Sequence, residues 1–482
     1  MGAAASQRRA LDGVRILDLS QVAIGPYATL LLAGLGAQVI KVESDRRADT
    51  SRGAVKPTTQ AQMSQYPGGD PGEQPWNRAA YFNQRNRGKL DITLDFTTPR
   101  GKDLLLRLAS VSDALVENFR ASVLERQGLD WKAIRQANPH IVYLKLSSQG
   151  ATGPERDYGS LGSTLEQTAG IASITGYTDG IPLLTNETYP DPVAAILGAG
   201  ALIGGLRRVR QTGHGQFIDL SQREATVSLL GEAMMDFALN GRVATPLGNR
   251  HPSMAPHGVY PCRTALTPDP SPAERERGAQ SDHEPQHIDR SDQTDDQADA
   301  HGQTKLPSPV GTGEGSGVRA TSWIAIAVET DEQWQSLRSV MGDPEWSRDP
   351  RFDTVAGRWR HQDEIDACLA EWTACFDHNE LTHRLQAEGV PVGAVLDGVE
   401  VLADPQLVAR GWWEQVTPPA IGEPFPMITP PWRMSGSPYL PLPPAPRLGE
   451  HNEFVYREIL GLSAAEFEAD RADGVTSIEP RW

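Results

Sequence analysis

Residues 189–205 read YPDPVAAILGAGALIGG, which sets a carboxylate, Asp191, between two prolines at the mouth of a segment made almost wholly of small residues. The structural expectation is that Asp191 caps a helix and Pro192 fills its first position, where a missing N–H costs nothing. The chemical expectation is that the same carboxylate reacts. A free Asp titrates at about 4, so at neutral pH it is an ionised nucleophile that needs no partner base. Thioesters suit it, because thiolate leaves readily and the resulting mixed anhydride can pass its acyl group onward. Small residues after the Asp let backbone amides approach a developing oxyanion.

Rival chemistries fit the sequence less well. The turn SQVAIGPYA holds one glycine and no G-x-G-x-x-G, so NAD or FAD binding is not expected, although Glu43 stands where an acid can meet a ribose. There is no G-x-S-x-G; Cys262 falls on a strand edge, and His214 falls in the tight turn TGHGQ. His251 and His257 have no Cys or carboxylate at ligand spacing, so no metal site is expected.

The chain of 482 residues is long enough for two or more domains, and its net charge of −17 argues against nucleic acid as a partner. Three cysteines (Cys262, Cys368, Cys375) form neither a disulfide framework nor a CxxC pattern, which points to a reducing, cytoplasmic setting. Apolar stretches such as YATLLLAGLGAQVI fall short of the roughly 20 residues of a membrane span, and no membrane partner or signal peptide is expected. The start MGAAAS fits the myristoylation pattern formally and reads as a frayed tail.

The elements that must position Asp191 are legible. VRILDL is a short apolar strand, Gly25-Pro26 turns into a helix ended by Gly34 and Gly36, and AQVIKVE is a second buried strand. That βαβ unit implies a right-handed crossover and a parallel sheet. Further strands (LDITLD, DALVENF, IVYLKLS) alternate with helices, so the first 220 residues or so read as a Rossmann-like α/β domain. Composition then changes. Between Asp269 and Gly317 eleven Asp/Glu face four Lys/Arg, with no aromatic residue, which predicts a disordered insertion over 264–317 at a hairpin tip. Its three histidines (His283, His287, His301) lack ligand spacing. Two amphipathic helices follow, then the proline-rich ITPPWRMSGSPYLPLPPAPRLGEH as an extended connector, and a final helix NEFVYREILGL.

Several phrases in order resemble one family: LDGVRILDLSQVAIGPYATLLLAGLGAQVIKVE, NRGKLDITLD, LVENFRASVLERQGLDW, NPHIVYLKLSSQGATGP, QTAGIASITGYTDGIP, YPDPVAAILGAGALIGGLRRVRQTGHGQFIDLSQREA, GVPVGAVLDGVEVLADPQLVARG and LGEH. The chain is similar to the family III CoA-transferases (CaiB/BaiF-like), which include carnitine and bile-acid CoA-transferases and 2-methylacyl-CoA racemases. The resemblance implies a Rossmann-like large domain and a smaller α+β domain in an interlocked-ring homodimer. The implied layout is 1–225 for the N-terminal part of the large domain, 226–250 for a linker helix, 251–428 for the small domain, and 429–482 for a connector wrapping the partner plus the rest of the large domain.

By the same resemblance Asp191 is the nucleophile, while Asp179 belongs to the preceding turn. Coenzyme A, the acyl-CoA substrate, is held by Ala23, Ile24, Asn118, Phe119, Arg120 and Arg126. Arg46, Arg47, Arg87 and Lys89 are further candidates for the nucleotide end. No metal or redox cofactor is implied. The partners are an acyl-CoA donor and a carboxylic acid acceptor, which exchange CoA through aspartyl anhydride and aspartyl-CoA thioester intermediates. YGSLGSTLEQ lacks the Tyr-Glu pair of oxalate-using members, which argues against formyl-CoA/oxalate exchange and toward succinyl-CoA as donor. Residues 155–170 contain no histidine, so a racemase loses its second acid/base, and Glu166 is the remaining carboxylate there. The alternatives are a racemase of the same family or an inactive CoA-binding paralogue.

Overall fold

The computed structural model describes residues 8–47, 49–178, 180–263 and 322–481; the MGAAAS start, Asp179 and the insertion 264–317 lie outside them. The chain divides into two units, Met1–Gly248 with Asp397–Trp482, and Asn249–Leu396. Residues 397–428, expected in the smaller domain, therefore fall in the first unit. The physical reason is a set of bonds to the turn before the third strand: Arg87 donates to Ile428 O at 3.0 Å, and Arg78 to Ala420 O at 2.8 Å.

In the first unit six parallel strands, β1 (Arg15–Asp18), β2 (Gln38–Glu43), β3 (Lys89–Thr93), β4 (Ala114–Glu117), β5 (Val142–Ser147) and β6 (Gln216–Ser221), form a sheet in the order β3-β2-β1-β4-β5-β6. The order reverses between β1 and β4, which is where doubly wound sheets bind ligands beyond their strand ends. Both faces are covered, so neighbouring strand residues enter different cores. Ile16, Val39, Val116 and Leu144 face one apolar cluster, while Leu17, Ile40, Leu115 and Tyr143 face another. The first helix, Ile24–Gly34, and the helix Pro190–Thr212 cover the first face.

The second face is closed from the far end of the chain. Val455, Tyr456, Phe467 and Val475 join its core, and Tyr456 Oη donates to Thr93 O at 2.8 Å. The final apolar segment is a π-type turn over Phe454–Ile459, and it does not end the chain: a helix over Ala464–Ala472 follows. Its start was readable, because Ser463 and Glu466 form a capping box. A hairpin, β10 (Trp413–Val416) and β11 (Phe425–Ile428), precedes the connector, whose Trp432, Tyr439 and Leu442 pack on the first core. Pro190–Thr212 is the one helix among the described residues long and apolar enough to cross a membrane, longer than the sequence reading allowed. One face of it packs on the sheet through Ala194, Ala195, Ala199 and Leu202, while Ile196, Leu197 and Ile203 are exposed.

The second unit is α+β. Its strands β7 (His257–Cys262), β8 (Ser322–Ala327) and β9 (Val392–Val395), which precede the hairpin in the chain, form one antiparallel sheet. Helices Asp331–Met341, Gln362–Thr373 and His378–Ala387 bury Trp334, Leu337, Ile365, Leu369, Leu381 and Leu385 against it. The strands that flank the insertion thus pair with each other from His257↔Ala327 to Cys262↔Ser322.

Gly25 sets how the β1 loop meets its helix: a Cβ there would lie 2.0 Å from Ser20 Cβ. Gly25→Ala is expected to lower stability by roughly 1–3 kcal/mol, the range for overpacking a filled core. A reduced urea midpoint with unchanged slope is the readout; an unchanged midpoint contradicts the close packing.

Candidate active site

Asp191 rides on the helix Pro190–Thr212, whose buried positions include Ala194, Ala195, Gly198, Ala199, Leu202 and Gly205. A Cβ on Gly198 would stand 2.7 Å from Leu146 Cδ2, and one on Gly205 2.8 Å from Val142 Cγ1. The small residues therefore let the helix settle close to β5. It starts earlier than the sequence suggested: Tyr189 is the N-cap, Pro190 the first helical residue, and Asp191 sits inside the first turn. The Asp191 side chain is not spent on capping. Pro192 after it has no N–H, the Val193 N–H already donates to Tyr189 O at 3.2 Å, and the carboxylate turns to Gln222.

Gln222 Nε2 donates to Asp191 Oδ1 at 2.6 Å, and a Cβ on Gly162 would lie 2.8 Å from Asp191 Oδ2. One oxygen is thus held by an amide, and the other rests against a residue without a side chain. Burial raises the Asp191 carboxyl above its ordinary range, against the opposing pull of hydrogen bonds from Gln222 and Thr188 and the charge of Arg85. A cavity of about 220 Å³ opens beside it, lined among others by Ala23, Tyr27, Gln84, Arg85 and Thr188.

Two loops reach this cavity under strain. Val22 has φ 66° and Thr188 φ 48°, a left-handed backbone that β-branched residues rarely adopt. Each loop is held by a buried carboxylate. Asp49 Oδ1 accepts from Val22 N at 3.0 Å, while Glu166 accepts from Thr185 N at 3.0 Å, Thr185 Oγ1 at 2.6 Å and Tyr189 N. Glu166 is buried and spends its oxygens on the segment that leads into Asp191. Its geometry is that of a tether.

The structure brings some candidate residues together and separates others. Ala23 lines the Asp191 cavity, and Ile24 follows it, buried at the helix start. Asn118 stands across the sheet's switch point, where its amide accepts from Gln21 N and donates to Gln21 O, both at 2.8 Å. Phe119 packs on the second core, while Arg120 and Arg126 are exposed beyond β4, Arg126 bonded to Ser122 Oγ. Arg46 pairs with Asp95 at 2.8 Å, and Arg47 is exposed. Arg87 and Lys89 do not reach outward. Arg87 is buried on Glu414 and backbone carbonyls, and Lys89 donates to Asp18 Oδ2, Pro26 O and Asn86 Oδ1 at 3.1, 3.0 and 2.8 Å. Their burial makes them parts of the scaffold.

Gln222 and Arg85 were missed by sequence reasoning. The available signal for Gln222 was Ser221 and Glu224 in LSQREA, since Ser221 accepts from Glu224 N and starts a helix at Gln222. Nothing local marked Arg85, which ends the short helix Ala80–Arg85.

Comparison with known proteins gives a consistent picture. The description of CoA-transferase family III matches residues 11–266 and 318–452. A succinyl-CoA–D-citramalate CoA-transferase of Chloroflexus aurantiacus is 30% identical, over 95% of this chain and 96% of that protein. A formyl-CoA:oxalate CoA-transferase of Streptomyces avermitilis is 29% identical, over 97% and 99%. The crystal structure of a CaiB/BaiF family protein from Brucella suis superposes with a TM-score of 0.73 at 26% identity, covering 94% of this chain and all of that one.

The raised carboxyl of Asp191 has a signed effect on stability. The folded state holds its proton more firmly, so the stabilising contribution is full below the ordinary value of 3.8 and lost as pH rises through the folded pKa. Asp191→Asn is therefore expected to raise the melting temperature at pH 7, with the gain shrinking as pH falls toward 4. A variant that melts lower than the parent at pH 7 contradicts the burial cost.

Proposed function

We propose a course for the reaction of this chain, which belongs to CoA-transferase family III and moves CoA from an acyl-CoA donor to a carboxylic acid acceptor. Asp191 attacks the donor thioester carbonyl; the carbon–sulfur bond breaks, and an aspartyl–acyl anhydride forms beside CoA thiolate. The thiolate then attacks the aspartyl carbonyl, the donor acid leaves, and an aspartyl-CoA thioester remains. The acceptor carboxylate attacks that thioester to give a second anhydride and thiolate. Finally the thiolate takes the new acyl group and frees Asp191. No proton is gained or lost over the cycle, which suits a site whose nucleophile is a carboxylate.

The observation that carries this reading is the hold on Asp191: half-buried beside a cavity, with one oxygen on the Gln222 amide and the other against Gly162. Desolvation makes a carboxylate a stronger nucleophile, and Gln222 keeps it aimed without adding a charge. Gly162 also weakens the racemase alternative, because it leaves no acid or base where the carboxylate rests. CoA lies along the switch point, with Ala23 and Ile24 at the first loop, Asn118 and Phe119 opposite, and Arg120 and Arg126 on phosphates.

The working unit is a homodimer in the cytoplasm. Helix Gly231–Asn240 buries none of its residues, and Met234, Met235, Phe237 and Leu239 stand 49%, 58%, 58% and 72% exposed, which asks for a partner surface. The three cysteines are free. Succinyl-CoA is the donor best suited to a sequence without the Tyr-Glu pair.

Intact-protein mass spectrometry after incubation with succinyl-CoA, followed by hydroxylamine or borohydride, tests the course. The expected result is a mass change on the peptide containing Asp191, absent in Asp191→Ala, together with loss of turnover by at least about 10³-fold. An unmodified Asp191 peptide under conditions of full turnover would falsify the covalent route.

A further inference from the structure

Arg85 is the one cation among the described residues that line the Asp191 cavity. Its guanidinium sits 3.7 Å from the centre of the Tyr81 ring, which fixes the plane of the fork. Several arginines of this unit are engaged with carboxylates: buried Arg52 with Glu43 and Asp91, buried Arg87 with Glu414, and Arg100 with Asp470. Arg85 makes no ion pair among the described residues. Its charge nevertheless reaches Asp191, where it acts against desolvation. Glu187, the third charged side chain of the lining beside Arg85 and Asp191, is exposed.

An arginine left unpaired beside a reacting carboxylate has donors to spare for an anion. The reacting end of a substrate belongs at Asp191, so the anion must come from elsewhere on the same molecule. We propose that Arg85 binds the distal carboxylate of a short dicarboxylic acyl group, making it the residue by which this chain selects dicarboxylic over monocarboxylic substrates. The proposal rests on the reading of Asp191 as the acyl-accepting nucleophile. A planar fork accepts a carboxylate in two parallel hydrogen bonds, and a methyl group in that place leaves the guanidinium desolvated with nothing to meet. The cavity of about 220 Å³ fits a short chain. Arg85 is thus a specificity residue, with no part in bond making.

The test compares succinyl-CoA with butyryl-CoA, which puts a methyl group where succinyl-CoA carries its carboxylate. Both are assayed with the wild type, Arg85→Lys and Arg85→Gln, and the ratio of their kcat/KM values is read. The wild type is expected to favour succinyl-CoA, and Arg85→Gln to reduce that ratio by about 100-fold, the scale of one charged hydrogen-bonded pair. Arg85→Lys keeps the charge without the fork and should fall between. Because each ratio comes from one preparation, partial unfolding cancels. A wild-type ratio near one, or an unchanged ratio in Arg85→Gln, overturns the proposal and leaves CoA transfer standing. Calorimetric titration with free succinate and butyrate covers the opposite case. If no donor reacts, the reading of Asp191 fails, and loss of succinate binding in Arg85→Gln still decides the role of Arg85.

Discussion

The site depends on charges locked under the first loop of the sheet. Asp18, Glu43, Asp49 and Asp91 are buried with Lys41, Arg52 and Lys89, four carboxylates against three cations. Burial pushes Asp91 well above the usual carboxylate range and the charge of Glu43 adds to it, whereas at Glu43 burial is outweighed by Arg52 and Lys41, which hold it at about 2. Burial also lowers Lys89 to about 8 despite Asp18. Such a network adds little net stability, but removing one partner strands a charge at a cost of about 3–5 kcal/mol. Its value is positional: Lys41 donates to Ser20 O and Asp49 together, so the loop that carries Ala23 has one place to be.

Strain and restraint are paired in this chain. Of the four non-glycine residues with left-handed backbone among those described, Val22, Asn186 and Thr188 belong to the two loops beside the cavity. Each costs on the order of 1–3 kcal/mol, and each loop is fastened by a carboxylate that is buried elsewhere. Asp49 and Glu166 do comparable work from opposite sides, though one belongs to an ion network and the other meets only neutral donors.

What was legible in the sequence follows from range. The βαβ opening, the parallel sheet and the small-residue helix are written in local periodicity and in glycine spacing, and they stand as read. The helix start was placed two residues late, with Asp191 as the cap in place of Tyr189, because the Gln222 amide that engages the Asp191 carboxylate is brought near only by folding. Gln222 lies 31 positions after Asp191 in the chain. Arg87 and Lys89 looked like loop cations because the sequence does not show the carbonyls and carboxylates that surround them. The place of 397–428 turned on Arg78 and Arg87, whose partners lie more than three hundred residues away.

The glycines of the helix that carries Asp191 limit how this protein can change. At Gly198 and Gly205 the distance from helix to sheet is set by main chain meeting side-chain tips, with no side chain of the helix in between. Core residues elsewhere can therefore change while the Asp191 carboxylate keeps its height above β5. Asp191 thus keeps one height, while the cavity wall beside it is built of side chains such as Gln84, Arg85 and Thr188, which can change without moving the helix.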